Sequence, residues 1–184
     1  MLDLPLGRLI GWPLWLVTAA LLRIQPVVQT DADGITAYSG WRAHVLSAGS
    51  YDRIVWIDCK EKVVRVRERR FWLGVRWRHI PFRNVVRVVY SHTDISPWSR
   101  LPLLAYQQMD MYTIAIKLTT GELVNLCRFC GPGNFINNTP VDDMLFWADE
   151  ALADLTQGTQ DADSRAFARQ ASRTIGVSLE RVLN

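Results

Sequence analysis

The strongest pattern in the chain is a period-two alternation of apolar and charged positions that begins near Arg53. Ile54, Val55, Trp56 and Ile57 read as a buried strand, and Cys59, Lys60, Glu61 and Lys62 as a hairpin turn. Val64 and Val66 then alternate with Arg65, Arg67 and Arg69. In the next strand Phe71, Leu73, Val75 and Trp77 share one face, and Arg70, Trp72, Arg76 and Arg78 the other. Such alternation marks a sheet with one face on a core and one in water, which predicts the apolar set inside. Ile80, Pro81 and Phe82 break the run, because proline cannot donate to a central ladder. Residues 85–90 resume as strand, residues 111–119 alternate with Ile114, Ile116 and Leu118 inward, and residues 123–129 return after Thr120 and Gly121.

Toward the ends the period changes. Thr139 and Pro140, with Asp142 and Asp143 behind them, have the form of a helix start: a capping hydroxyl, proline at the first position and acids in the first turn. Val141, Leu145, Ala148, Leu152 and Leu155 form its stripe, and Gly158 ends it. Residues 164–174 carry a second helical pattern, with Phe167, Ala171 and Ile175 on one side and Gly176 as terminator. Near the N-terminus, Pro13 and Pro26 bracket an apolar helix. Trp12, Leu14, Trp15, Leu16, Leu21 and Leu22 belong to it, and its apolar residues cover nearly every face. A helix without a polar face must be buried on most sides, in its own domain, in a partner or shallowly in lipid.

The apolar stretch at residues 9–22 is shorter than the roughly 20 residues of a membrane span. Asp3 dilutes a positive start and no small-x-small site follows, so the segment is expected to be retained rather than cleaved. Asp31 to Gly34 is a turn signal, and residues 35–46 are weakly strand-like. The organisation expected is an apolar helical arm over residues 1–30, then an α+β domain over 31–184. That domain is mostly antiparallel, a barrel or sandwich, with a helical segment over about 139–176. Residues 91–110 form a long connection holding Trp98, Leu101, Leu103, Leu104 and Tyr106, an apolar loop that something should cover.

Charge sharpens this picture. The net charge is only +3, yet residues 60–87 hold ten basic side chains against Glu61 and Glu68, a local +8 that leaves −5 for the rest. Such a segment seeks an anionic partner or an acidic face of its own chain. The eight tryptophans suit cores, interfaces and membrane boundaries. Three cysteines do not make a disulfide scaffold and point to a reducing compartment. Cys127 and Cys130 form a C-x-x-C pair, a weak candidate for metal because zinc needs two more ligands. His92, Thr93 and Asp94 lie in a presumed loop with no evident nucleophile, and no P-loop or paired-carboxylate site is found. No enzyme and no cofactor is expected. Trp72 and Trp77 fall on opposite faces of the alternation, so they make no single stacking platform and nucleic acid is not the favoured partner.

The order hairpin, hairpin, long loop, hairpin and C-terminal helix, together with three motifs, resembles bacterial pleckstrin-homology-like domains. The motifs are Ile80 to Val88 (an I-P-F step between strands), Leu118 to Leu123 (a T-G-E hairpin) and Ile175-Gly176-Val177-Ser178-Leu179 after the terminal helix. The resemblance covers about residues 53–179 and implies a binding or scaffolding role, often at membranes, without catalysis. Lys62, Arg65 and Arg67 are similar to the basic pattern with which that family grips phosphoinositides. A generic anionic lipid is the expected ligand here, with Arg69, Arg76 and Arg78 extending the basic set. The favoured expectation is an accessory subunit docked peripherally on the cytoplasmic face of the inner membrane, or on a membrane protein complex. Its anchors would be Trp12, Leu14, Trp15, Leu16, Leu21 and Leu22 of the arm and Trp98, Leu101, Leu103, Leu104 and Tyr106 of the loop. The alternative is a soluble module that binds anionic lipid or another polyanion through the basic strand face.

Overall fold

A computed structural model describes residues 24–94, 109–132 and 160–183. Two open sheets face each other. The first has strands β1 (Pro26–Asp31), β2 (Gly34–Ser39), β3 (Tyr51–Asp58), β4 (Val63–Arg70) and β5 (Gly74–Pro81), paired antiparallel in sequence order. The second holds β6 (Val85–Asp94), β7 (Met109–Leu118), β8 (Leu123–Pro132) and β9 (Ser178–Leu183) in the order β8-β7-β6-β9. All of its pairs are antiparallel except β6 with β9, which is parallel. Helix α1 (Trp41–Leu46) lies between β2 and β3, and α2 (Gln160–Ile175) precedes β9. The α+β class and its mainly antiparallel strands agree with the expectation, and the sheets do not close into a barrel. Residues 1–23 of the expected arm, 95–108 of the expected connection and the helix predicted from Thr139 fall outside the described residues; the end of the arm belongs instead to β1, and the two ends of the connection to β6 and β7.

The core follows from alternation. Ile35 opposes Ile57, Ala37 opposes Val55, Val55 opposes Val66 and Val64 opposes Ile80, all buried on the inner face of the first sheet. Val88, Ile114, Ile116, Val124, Leu126 and Phe129 meet them from the second. Helix α2 presents Phe167, Ala168, Ala171 and Ile175 to this core, the spacing expected of one helical face. Gly176, at φ +82°, ends it, and its N–H and that of Val177 both donate to Ser172 O. Each fully buried aliphatic side chain here contributes about 1.5–3 kcal/mol.

Several boundaries depart from the sequence reading. Residues 41–46, read as weak strand, form α1, a helix with no buried residue. Pro26–Asp31 forms β1, and Ser178–Leu183 forms β9; neither was expected as strand. His92 sits within β6 rather than in a loop. The strand expected through residues 70–78 is instead a hairpin, turning at Phe71, Trp72 and Leu73, with Arg70 opposite Gly74. A three-residue turn preserves parity, so Arg70, Arg76 and Arg78 still share a face, but the faces are the reverse of those expected. Val75 and Trp77 lie outward and exposed, and Phe71 and Leu73 stand in solvent at the tip.

Candidate functional site: an arginine-lined cleft

Along β3, β4 and β5 the inner face changes character. At one end it is Val55, Ile57, Val64, Val66 and Ile80; toward the β4–β5 turn the same face carries Arg53, Glu68, Arg70, Arg76 and Arg78. Charged side chains cannot enter a close-packed core without partners. The two sheets leave a cleft of about 210 Å³ at this end, lined by these five residues, Val66, Glu122 of the β7–β8 turn, and Leu123, Val124 and Asn125 of β8.

Arg53 ties the cleft together. Its Nε donates to Leu126 O at 3.1 Å, its Nη2 donates to Asn125 O, and its Nη1 lies 3.4 Å from a Glu68 oxygen. Leu126 is skipped in the β7–β8 register, where Ile114 pairs with Cys127 and Ala115 with Asn125. The bulge turns that stretch of β8 backbone toward the first sheet, where the guanidinium meets it. Arg70 reaches Glu68 at 2.6 Å, and the hydrogen bond to Glu68, then its charge, raises the pKa of the Arg70 guanidinium above its ordinary value. Arg78 pairs with Glu122 at 2.5 Å. Arg76 is exposed and makes no ion pair among the described residues. Four guanidinium groups face two carboxylates, a surplus of positive charge in a concave site. That arrangement suits a phosphate-bearing anion, because guanidinium forks match phosphate oxygens.

The six basic residues singled out in the sequence do not converge. Lys62 lies in the β3–β4 turn, at the far end of β4 from the 71–73 tip, about 25 Å away at strand spacing. Arg65, Arg67 and Arg69 project from the outer face, opposite to Arg76 and Arg78. Arg65 is paired with Asp58 and Glu61, and Arg67 lies 3.8 Å from Asp52 and beneath the Trp77 ring. Only Arg76 and Arg78 of the set line the cleft. Arg53, Arg70, Glu68 and Glu122 complete it and lie outside the set expected from sequence. The signal available for Arg70 was its parity with Arg76 and Arg78; for Arg53 and Glu122 no local signal existed, because pairing across the two sheets brings them in.

Trp77 shares the outer face with Arg67 and stacks on Trp56, ring centroids 5.8 Å apart and planes 8° from parallel. Trp72 does not join that pair: its Nε1 donates to Ala48 O. Cys127 and Cys130 lie on β8 with Cys127 in the core and Cys130 half-buried. Burial pushes the Cys127 thiol up to about 12 and raises Cys130 as well. No group of three or more His, Cys, Asp or Glu that could hold a metal is found among the described residues. His92 Nε2 is 2.9 Å from Asp110 Oδ1 and its ring stacks on Tyr112. Tyr90 OH donates to Asp161 at 2.9 Å and shares a hydrogen bond with Ser164, which fastens the start of α2 to β6. Burial raises the pKa of both tyrosines above the ordinary value.

No family model matches the chain, and no curated protein or solved structure matches it.

Proposed function

We propose that this chain is a non-enzymatic accessory module that docks peripherally on an anionic membrane surface. The observation that carries the reading is the arginine-lined cleft, open to solvent at the β4–β5 end with Arg70 and Arg76 exposed at its mouth. A phosphate group entering there would meet guanidinium groups already oriented by Glu68, Glu122 and the β8 backbone. Preorganisation of this kind lowers the cost of binding. Among the described residues no helix is long and apolar enough to cross a membrane. The proposal includes the two apolar anchors expected from sequence, the helix over 12–24 and the loop over 97–106.

The test is cosedimentation with phosphatidylcholine vesicles, with and without phosphatidylglycerol, over a salt series. Binding should require the anionic lipid and weaken as the Debye length contracts from about 10 Å at 0.1 M to about 3 Å at 1 M. Paired reversal, Arg70→Glu with Arg76→Glu, should abolish it while the far-UV circular dichroism stays unchanged. Equal binding to neutral and anionic vesicles, or no loss on reversal, refutes the cleft as the docking element.

A further inference from the structure

The β4–β5 turn is built against the usual rules for turns. Phe71 and Trp72 both adopt left-handed backbone, φ +52° and +60°, where glycine or asparagine would sit without strain. Bulky side chains there are uncommon, and strain of this kind persists where surrounding structure holds it. The holding contacts are visible. Leu73 N–H donates to Phe71 O at 2.6 Å, closing a three-residue turn, and Trp72 Nε1 donates to Ala48 O at 3.2 Å, fixing the tip to the loop after α1.

The strain hides nothing from water. Phe71 is 76% exposed, Trp72 61% and Leu73 93%. The loop to which Trp72 is fixed follows α1, which exposes Trp41, Val45 and Leu46. Apolar side chains this large, grouped and solvent-facing, mark a docking surface. The charge around them selects the occupant. Arg69 and Arg70 immediately precede the tip and Arg76 follows it, while Arg42 lies on α1. No acidic residue lies between positions 69 and 78. An apolar core would suit many proteins, but a greasy point collared by arginine fits the anionic bilayer interface. There aromatic rings sit at headgroup depth and basic side chains meet phosphate.

We infer that Phe71, Trp72 and Leu73 form a wedge that enters the interfacial layer of an anionic bilayer while Arg69, Arg70 and Arg76 engage the headgroups around it. The inference rests on the membrane-docking reading and specifies its depth: the module is held by apolar insertion as well as charge. Insertion contributes a part of the affinity that salt does not screen.

The experiment uses the full chain and phosphatidylcholine–phosphatidylglycerol vesicles. The wedge variant Phe71→Ser with Leu73→Ser should lower partitioning at least about tenfold, and should leave the residual binding wholly sensitive to salt. Thermal melting should match the parent, since the replaced side chains touch solvent. A second measurement places an environment-sensitive fluorophore on Leu73→Cys in a Cys59→Ser background. Its emission should shift to the blue on adding anionic vesicles and be quenched by lipid carrying a shallow nitroxide. Parent-like partitioning of the wedge variant, with an unshifted fluorophore, overturns the wedge and leaves charge-driven docking standing. Absence of any vesicle binding by the parent overturns both. Emission already blue without vesicles, or a parent that is dimeric where the wedge variant is monomeric, shows the tip covered by protein and overturns the inference.

Discussion

Replacing Arg53 by methionine removes the side chain that, alone among the described residues, spans from the first sheet to the backbone of the second at the cleft. Methionine keeps much of the stem's packing, so the loss is chiefly polar. Two charge-assisted bonds go, to Leu126 O and Asn125 O, and the side chain that makes them is only 16% exposed. Hydrogen bonds to charged groups contribute about 1.5–3 kcal/mol each, but the orphaned carbonyls regain some water at an open cleft. The ion pair adds little: Glu68 keeps Arg70, and pairs reached by solvent are worth about 0–1 kcal/mol. The expected destabilisation is therefore about 3 kcal/mol. Urea unfolding followed by circular dichroism measures it, with Arg67→Met as control, because Arg67 and Asp52 form a long pair of 3.8 Å on the outer face. The control should cost less than about 1 kcal/mol. Equal midpoints for the two variants would refute the view that Arg53 fastens the sheets.

Two further predictions test the frame. Gly34 has φ +153°, and a Cβ added there would run into the carbonyl oxygen of Ile57 on the neighbouring strand. Gly34→Ala should cost more than about 2 kcal/mol in the same urea assay, and a neutral result would contradict the β2–β3 register. Burial raises the Cys127 thiol from 9.0 to about 12, so the folded chain holds that proton more tightly than the unfolded one. Its contribution is fully present below pH 9 and is lost as pH rises toward 12, at up to about 1.4 kcal/mol per pH unit. Cys127→Ala should flatten this slope, and a thiol reagent at pH 8 should modify exposed Cys59 while sparing Cys127. Rapid labelling of native Cys127 would refute its burial.

Much of the core was legible because one face of each strand obeys a simple rule. Val64, Val66, Ile114 and Ile116 are buried where period-two alternation puts them, whereas of residues 54–57, expected to be buried throughout, Val55 and Ile57 are buried and Ile54 and Trp56 only partly so. Helix α2 was legible through Phe167, Ala171, Ile175 and Gly176, although it starts earlier, at Gln160. Strand β9 was not, because Ser178–Leu183 gains its strand character from parallel pairing with β6, a long-range contact without local signature. Helix α1 escaped for the opposite reason: it is short, buries nothing and so has no stripe to read.

The cleft shows where alternation itself misleads. Pattern reading assigns the apolar face to the core, and in residues 70–78 that put Phe71, Leu73, Val75 and Trp77 inside. Register decides otherwise: Val64 opposite Ile80 and Val66 opposite Arg78 fix the parity of β5 from the core end, so its arginines point between the sheets. This inversion is tolerable only because the sheets part at that end and Glu68, Glu122 and β8 carbonyls receive the guanidinium groups. It also leaves the large apolar side chains nowhere to go but outward. The inward arginines and the outward greasy tip are thus consequences of one register, not two separate oddities. A one-residue shift of β5 on β4 would turn Arg76 and Arg78 outward and Val75 and Trp77 inward, and would leave the cleft with Arg53 and Arg70 alone of its four guanidinium groups.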